Sequence, residues 1–249
     1  MTDKHLSHKN ERGLNELPNE NGGLSSAHDY AANAAFDLDS FGEKVYSIFS
    51  EPSSSSLSTM TGEQFQFKLN GVAYVGMDYL DRLSSLHPED VCGVCLKAEG
   101  EMKAAMLLFL DDHNARLLAA RLLGQKYLDK LDSLGRSSIS EVGNILFAGC
   151  FLNSVCKITG LKTLSSVPGL GIGNLLALAE HPITHMASSS DELLAAESEL
   201  VGKETGITLK ILLVLGRGDA QKLLNGGGGD VRAGTQSKQS PGSPGASDK

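Results

Sequence analysis

The stretch SSISEVGNILFAGCFLNSVCKITG, from Ser137 to Gly160, constrains the fold more than any other part of the chain. Ile139, Val142, Leu146 and Cys150 recur at helical spacing, and Ile145, Phe147, Leu152 and Val155 widen that face. A helix so apolar must be covered by other layers, which calls for a sizeable core. Ser137 or Ser138 supplies a side-chain oxygen for the first turn, with Glu141 completing a capping box. Gly160 suits the stop, because a helix often ends in a residue with positive φ. Against the apolar face, Ser137, Glu141 and Asn144 fall within roughly a 60° sector and form a polar stripe. On residue chemistry alone this acid and amide read as structural, a capping glutamate and a locally satisfied asparagine.

The remaining patterns predict an α+β fold. Residues 36–49 carry Phe41, Val45, Ile48 and Phe49 on one helical face, with Asp39 or Ser40 near the start. Pro52 and the serines of 51–61 read as a loop. QFQFKL and VAYVG flank Asn70-Gly71, a type I′ hairpin signal. A second strand pair, 91–98 with 103–110, turns at Glu99-Gly100. Residues 111–123 read as a helix capped by Asp111 or Asp112 and closed by Gly124. A short strand over 161–167, a helix over 171–180 and a strand pair over 191–201 and 206–215 complete the pattern. Residues 1–35 are polar and without period, and 217–249 are rich in Gly, Ser and Pro; both read as disordered, leaving 36–216 as one domain. Leu14 and Leu17 could anchor a short partner helix, but the leader around them reads as a solvated tail.

The order Ser137, three residues, Glu141, two residues, Asn144 and a distant proline resembles the signature of the CheC-type phosphatases of chemotaxis, a family that includes CheX and FliY. Pro168 is the matching proline and comes one residue later than the usual spacing. The segment EVGNILFAGCFLNSVCKITGL is similar to the family's second signature helix, and a looser likeness runs from Val91 to Leu215. Asp39, Glu43 and Tyr46 repeat the spacing with tyrosine in place of asparagine. CheC proteins contain two pseudo-symmetric signature helices, so this resembles a first site that has lost its amide; a chance amphipathic helix reads equally well. The resemblance implies long helices on a mostly antiparallel sheet with pseudo-two-fold symmetry. It implies hydrolysis of the aspartyl phosphate of a CheY-type response regulator, with Asn144 orienting the attacking water and Glu141 pairing with the regulator's lysine. Ser137 would cap and orient. The chain would need no cofactor of its own, since the regulator brings Mg. CheD is a further partner in the family. The rival reading is a non-catalytic module that sequesters the regulator or controls CheD. The polar C-terminal stretch is too short for the rotor domain of FliY, which favours the CheC branch.

Other function classes fit poorly. A net charge of -8 offers no basic stripe for nucleic acid. The first residues lack an apolar core for a signal peptide, and no apolar run looks long enough to span a bilayer, so the expected location is cytoplasmic. Cys92, Cys95, Cys150 and Cys156 sit in apolar surroundings and read as reduced, packed thiols. Cys92 and Cys95 would point to opposite faces of a strand, and no second ligand pair follows. His181 and His185 are separated by Pro182, expected to break the helix that would align them. Gly169, Gly171 and Gly173 do not make a dinucleotide fingerprint and read as turn glycines.

Overall fold

A computed structural model describes residues 36–226, and the expected leader (1–35) and the tail beyond 226 lie outside them. The elements are α1 (Leu38–Thr61), β1 (Phe65–Tyr74), α2 (Met77–Leu86), β2 (Val91–Gly100), β3 (Ala104–Asp111), α3 (Asp112–Leu122) and α4 (Ser133–Thr159). They continue with β4 (Thr163–Ser165), β5 (Gly169–Gly173), α5 (Leu175–Ala187), β6 (Leu193–Gly202), β7 (Thr208–Gly216) and α6 (Arg217–Asn225). The architecture is α+β, as the sequence pattern implied.

All strand pairs are antiparallel, in the order β1-β6-β7-β3-β2-β4, with β5 on the same edge of β2 as β4. The order is symmetric about the β7–β3 seam: hairpin β6–β7 is flanked by β1, hairpin β3–β2 by β4 and β5. A shift of 98 residues, the separation of Pro52 from Cys150, superposes the flanking elements in sequence. It carries Gly62, the αL cap of α1 at φ 75°, onto Gly160, the αL cap of α4 at φ 74°. It also carries Gly76, the N-cap of α2, onto Asn174, the N-cap of α5. The two long helices meet where the symmetry requires, the Cys150 thiol donating to the Pro52 carbonyl at 3.4 Å.

A chain of rings fills that junction. Tyr46 meets Phe67 edge-on at 5.8 Å, Phe67 meets Phe49 at 5.6 Å, Phe49 meets Phe151 at 5.7 Å, and Phe151 stacks on Phe147 at 6.0 Å. Phe49, Phe147 and Phe151 are fully buried, each contributing about 1.5–3 kcal/mol of transfer free energy. On the opposite face of the sheet, α2 and α5 cover Val91, Leu107, Phe109, Leu193, Leu212 and Val214.

Several local signals were overridden. Asn70-Gly71 does not turn a hairpin: β1 runs through it, paired to β6 on both sides, with the register shifting between Leu69 and Gly71. The residues that favour a tight turn also tolerate a bulge, and a ladder of nine residue pairs to a distant strand decides between them. Residues 51–61 are helical, not a loop. Pro52 is carried inside α1, and Ser53, Ser58, Thr59 and Thr61 each donate a hydroxyl to the carbonyl four residues back. Helix α2 carried no expectation. Gly169–Gly173 is strand β5 rather than a turn, and Gly171 lies close beneath Leu178 of α5. The domain runs beyond 216, because Arg217–Asn225 forms α6 with Ala220 and Leu223 buried. By length and composition α4 is apolar enough to cross a bilayer, contrary to the reading of the sequence, yet half of its most apolar window is buried within the domain.

Candidate functional site

Helix α4 begins earlier than its serines suggested. Asp132 is the N-cap and its carboxylate accepts from the Gly135 N–H at 2.8 Å. Ser137 is therefore inside the helix, not its cap, and Ser138 donates to the Gly135 carbonyl at 2.8 Å. Asp132, a cap residue type ahead of the apolar run, was the available signal for this start. The helix is α from Ser133 to Asn144, π from Ile145 to Leu152 and α again from Asn153 to Thr159. A π segment widens the turn and re-phases the residues after it, and such segments concentrate at functional sites.

Ser137, Glu141 and Asn144 keep the regular α spacing on one face of the first segment. Ser137 and Glu141 are exposed and Asn144 is half-buried at the point where the π segment starts. Among the described residues, the Glu141 carboxylate and the Asn144 amide make no side-chain hydrogen bond or ion pair. Gly143, next to Asn144 in sequence but on the opposite, sheet-facing side of the helix, is buried and rests on Val94 and Leu96 of β2. Sequence reasoning did not single it out.

Pro168 lies in the link between β4 and β5, which run end to end along β2. Ser166 anchors that link from both sides: its N–H donates to the Lys97 carbonyl at 2.7 Å, and its hydroxyl accepts from the Lys97 N–H at 3.0 Å. Pro168 has no N–H to continue the ladder. Val167 between them is turned outward, 87% exposed. Strand β5 lies against the first segment of α4 and β4 against its π segment, so the link borders the helix that carries the stripe.

Asp39, Glu43 and Tyr46 occupy the matching stripe of α1, whose N-cap is Asp37, with Asp39 and Ser40 in its first turn. Asp39 and Glu43 are exposed, and Tyr46 is 49% exposed with its ring against Phe67. Hollows of about 490 and 360 Å³ lie on either side of Tyr46 along β1. Where α4 presents an amide, α1 presents a ring with a phenol.

The other candidates are structural. Burial pushes the Cys92 thiol up to about 11 and raises Cys95 and Cys150 as well, so all three stay protonated at neutral pH. Pro182 is held inside α5 instead of ending it, and His185 Nε2 lies 2.7 Å from Glu99 Oε1. Among the described residues no group of three or more His, Cys, Asp or Glu side chains is placed to hold a metal ion.

Neither a protein-family model nor a curated protein sequence matches this chain. Solved structures do. FliY of Thermotoga maritima superposes with a TM-score of 0.60 at 16% identity, over 78% of this chain and 98% of that one. FliM of H. pylori, from its complex with SpeE, gives 0.53 at 10% identity over 77% and 96%. The FliM middle domain of Vibrio alginolyticus, residues 51–229, gives 0.51 at 12% identity over 73% and 96%. The fold is thus the one shared with FliY and the FliM middle domain, and at these identities the likeness is one of fold.

Proposed function

We propose that the chain is a protein phosphatase that hydrolyses the aspartyl phosphate of a CheY-type response regulator in the cytoplasm. The observation that supports it best is the uncommitted pair on α4: an exposed Glu141 and a half-buried Asn144, side by side on the outer face of a core helix. An acyl phosphate has a good leaving group, so its hydrolysis needs little beyond an aligned water and compensation of charge. Water attacks phosphorus, the bond to the aspartyl oxygen breaks, and inorganic phosphate leaves the restored carboxylate. The amide of Asn144 can accept from that water through oxygen and donate to a phosphoryl oxygen through nitrogen, without adding negative charge. Glu141 pairs with the regulator's lysine and fixes the register of α4 in the partner's site. Any Mg belongs to the regulator. A stripe on an open helix face, rather than in a cleft, suits a folded protein as substrate.

A second reading, a module that binds the regulator or CheD without turnover, is supported by Tyr46. One of the two equivalent stripes lacks the amide altogether, so the surface tolerates loss of the chemistry.

The test is the decay of phosphorylated regulator with a trace of the protein. The phosphatase reading expects many phosphates released per chain. Tight binding with an unchanged or lengthened phosphate lifetime would establish the binding module instead.

A further inference from the structure

We infer that Gly143 is a positioning residue: it seats α4 directly on β2 and so sets how far the neighbouring Asn144 stands from the sheet. The inference rests on the phosphatase reading for its catalytic consequence, while the seat itself is a matter of geometry. A Cβ placed on Gly143 would lie 2.8 Å from Val94 Cγ1 and 3.3 Å from Leu96 Cδ1. Neither neighbour can yield easily. Val94 and Leu96 are fully buried, and Val94 is β-branched and held in the ladder on both sides, by Leu108 of β3 and Leu170 of β5. Relieving the contact to an ordinary carbon separation would lift α4 by about 0.5–1 Å.

The lift cannot spread evenly along the helix. Beyond Asn144 the π segment is fixed by Phe147 and Phe151 in the ring stack and by the Cys150 thiol on Pro52 and Ser56. Asn144 is the joint between a seat and an anchor, so displacement concentrates there. The matching position on α1 is Val45, and that helix instead comes close to β1 through Gly42, whose added Cβ would meet Val72 and Leu69 at 3.2 and 3.3 Å. The tight seat therefore adjoins the amide on α4 and adjoins Glu43, not Tyr46, on α1.

The experiment compares wild type, Gly143→Ala, Gly143→Ala with Val94→Ala, and Gly42→Ala as a control. Two quantities are read: the kcat and KM for phosphorylated regulator, and the side-chain amide resonance of Asn144 in the full chain. A displacement of this size predicts that Gly143→Ala lowers kcat about 10- to 100-fold with KM changed less than about threefold. Val94→Ala in the same chain opens the seat and returns kcat and the amide resonance toward wild type, whereas Gly42→Ala leaves both unmoved. A Gly143→Ala protein with wild-type kcat and an unmoved resonance overturns the inference, as does a folded double variant as slow as the single one. If Gly143→Ala alone fails to fold, the double variant decides by the same criteria. If wild type itself gives no turnover, the phosphatase reading has failed, and the resonance alone decides the seat.

Discussion

Helices α1 and α4 are the same part used twice. Both end in an αL glycine, both lead into an edge strand with an interrupted ladder, and both carry an acidic residue four positions after the first member of an exposed stripe. Their stripes differ at the first position, Asp39 against Ser137, and at the last, Tyr46 against Asn144, and the backbone beside the last differs too. Asn144 stands between a glycine seat and a π segment; Tyr46 follows a buried valine in a helix that stays α through Pro52. The difference teaches that a stripe with the right spacing is not yet a site. On the phosphatase reading the amide needs a helix held at a fixed height; α4 is seated through Gly143 beside the amide, whereas the close glycine of α1, Gly42, adjoins Glu43.

The largest effect should come from breaking what the two helices share. Phe151→Ala removes the ring that joins the stack of α4 to Phe49 of α1, and should cost about 3–5 kcal/mol in denaturant unfolding. Glu141→Gln against Glu43→Gln sharpens the contrast: the first should raise KM for the regulator about tenfold, the loss of a charge-assisted bond, and the second should leave it unchanged. Tyr46→Asn placed in an Asn144→Ala chain should restore no turnover, because position 46 lacks the adjoining seat; recovery of phosphate release would show that the side chain alone makes the site. Asp132→Ala should cost about 1 kcal/mol as a lost N-cap, measured by thermal unfolding.

The smallest effect concerns pH. The Ser40 hydroxyl and N–H hold the exposed Asp37 carboxyl below its usual range. A carboxyl whose folded pKa is depressed stabilises the fold above the ordinary carboxylate pKa and loses that contribution as pH falls through the lowered value. The stability of wild type minus that of Asp37→Asn, measured by unfolding across an acid titration, should show a small difference that fades at the acid end.

Much of this was legible where local chemistry and long-range pairing agree. The hairpins β2–β3 and β6–β7, the Asp111 cap of α3, the Gly160 stop and the polar stripe follow from patterns that the packing confirms. The misreadings lie where a distant partner decided. Asn70-Gly71 has the chemistry of a turn, but β6, more than a hundred residues away, keeps β1 extended through it. Pro52 and its serines look like a loop, yet burial of Phe49, Ser53 and Leu57 on one side, with Phe49 against Phe151 of α4, makes helix the better solution. The pair Glu141 and Asn144 was visible through a motif. The seat was not, because Gly143 in EVGNIL looks like any helical glycine until Val94 is beneath it.

The most direct measurement tracks phosphorylated CheY-type regulator with substoichiometric wild type, Asn144→Ala and Tyr46→Ala side by side. The account predicts that wild type and Tyr46→Ala shorten the phosphate lifetime equally, while Asn144→Ala, at about 1% or less of that rate, leaves it near the regulator's own. Equal loss in both variants, or activity that survives Asn144→Ala, would contradict the claim that one of two equivalent helices carries the chemistry.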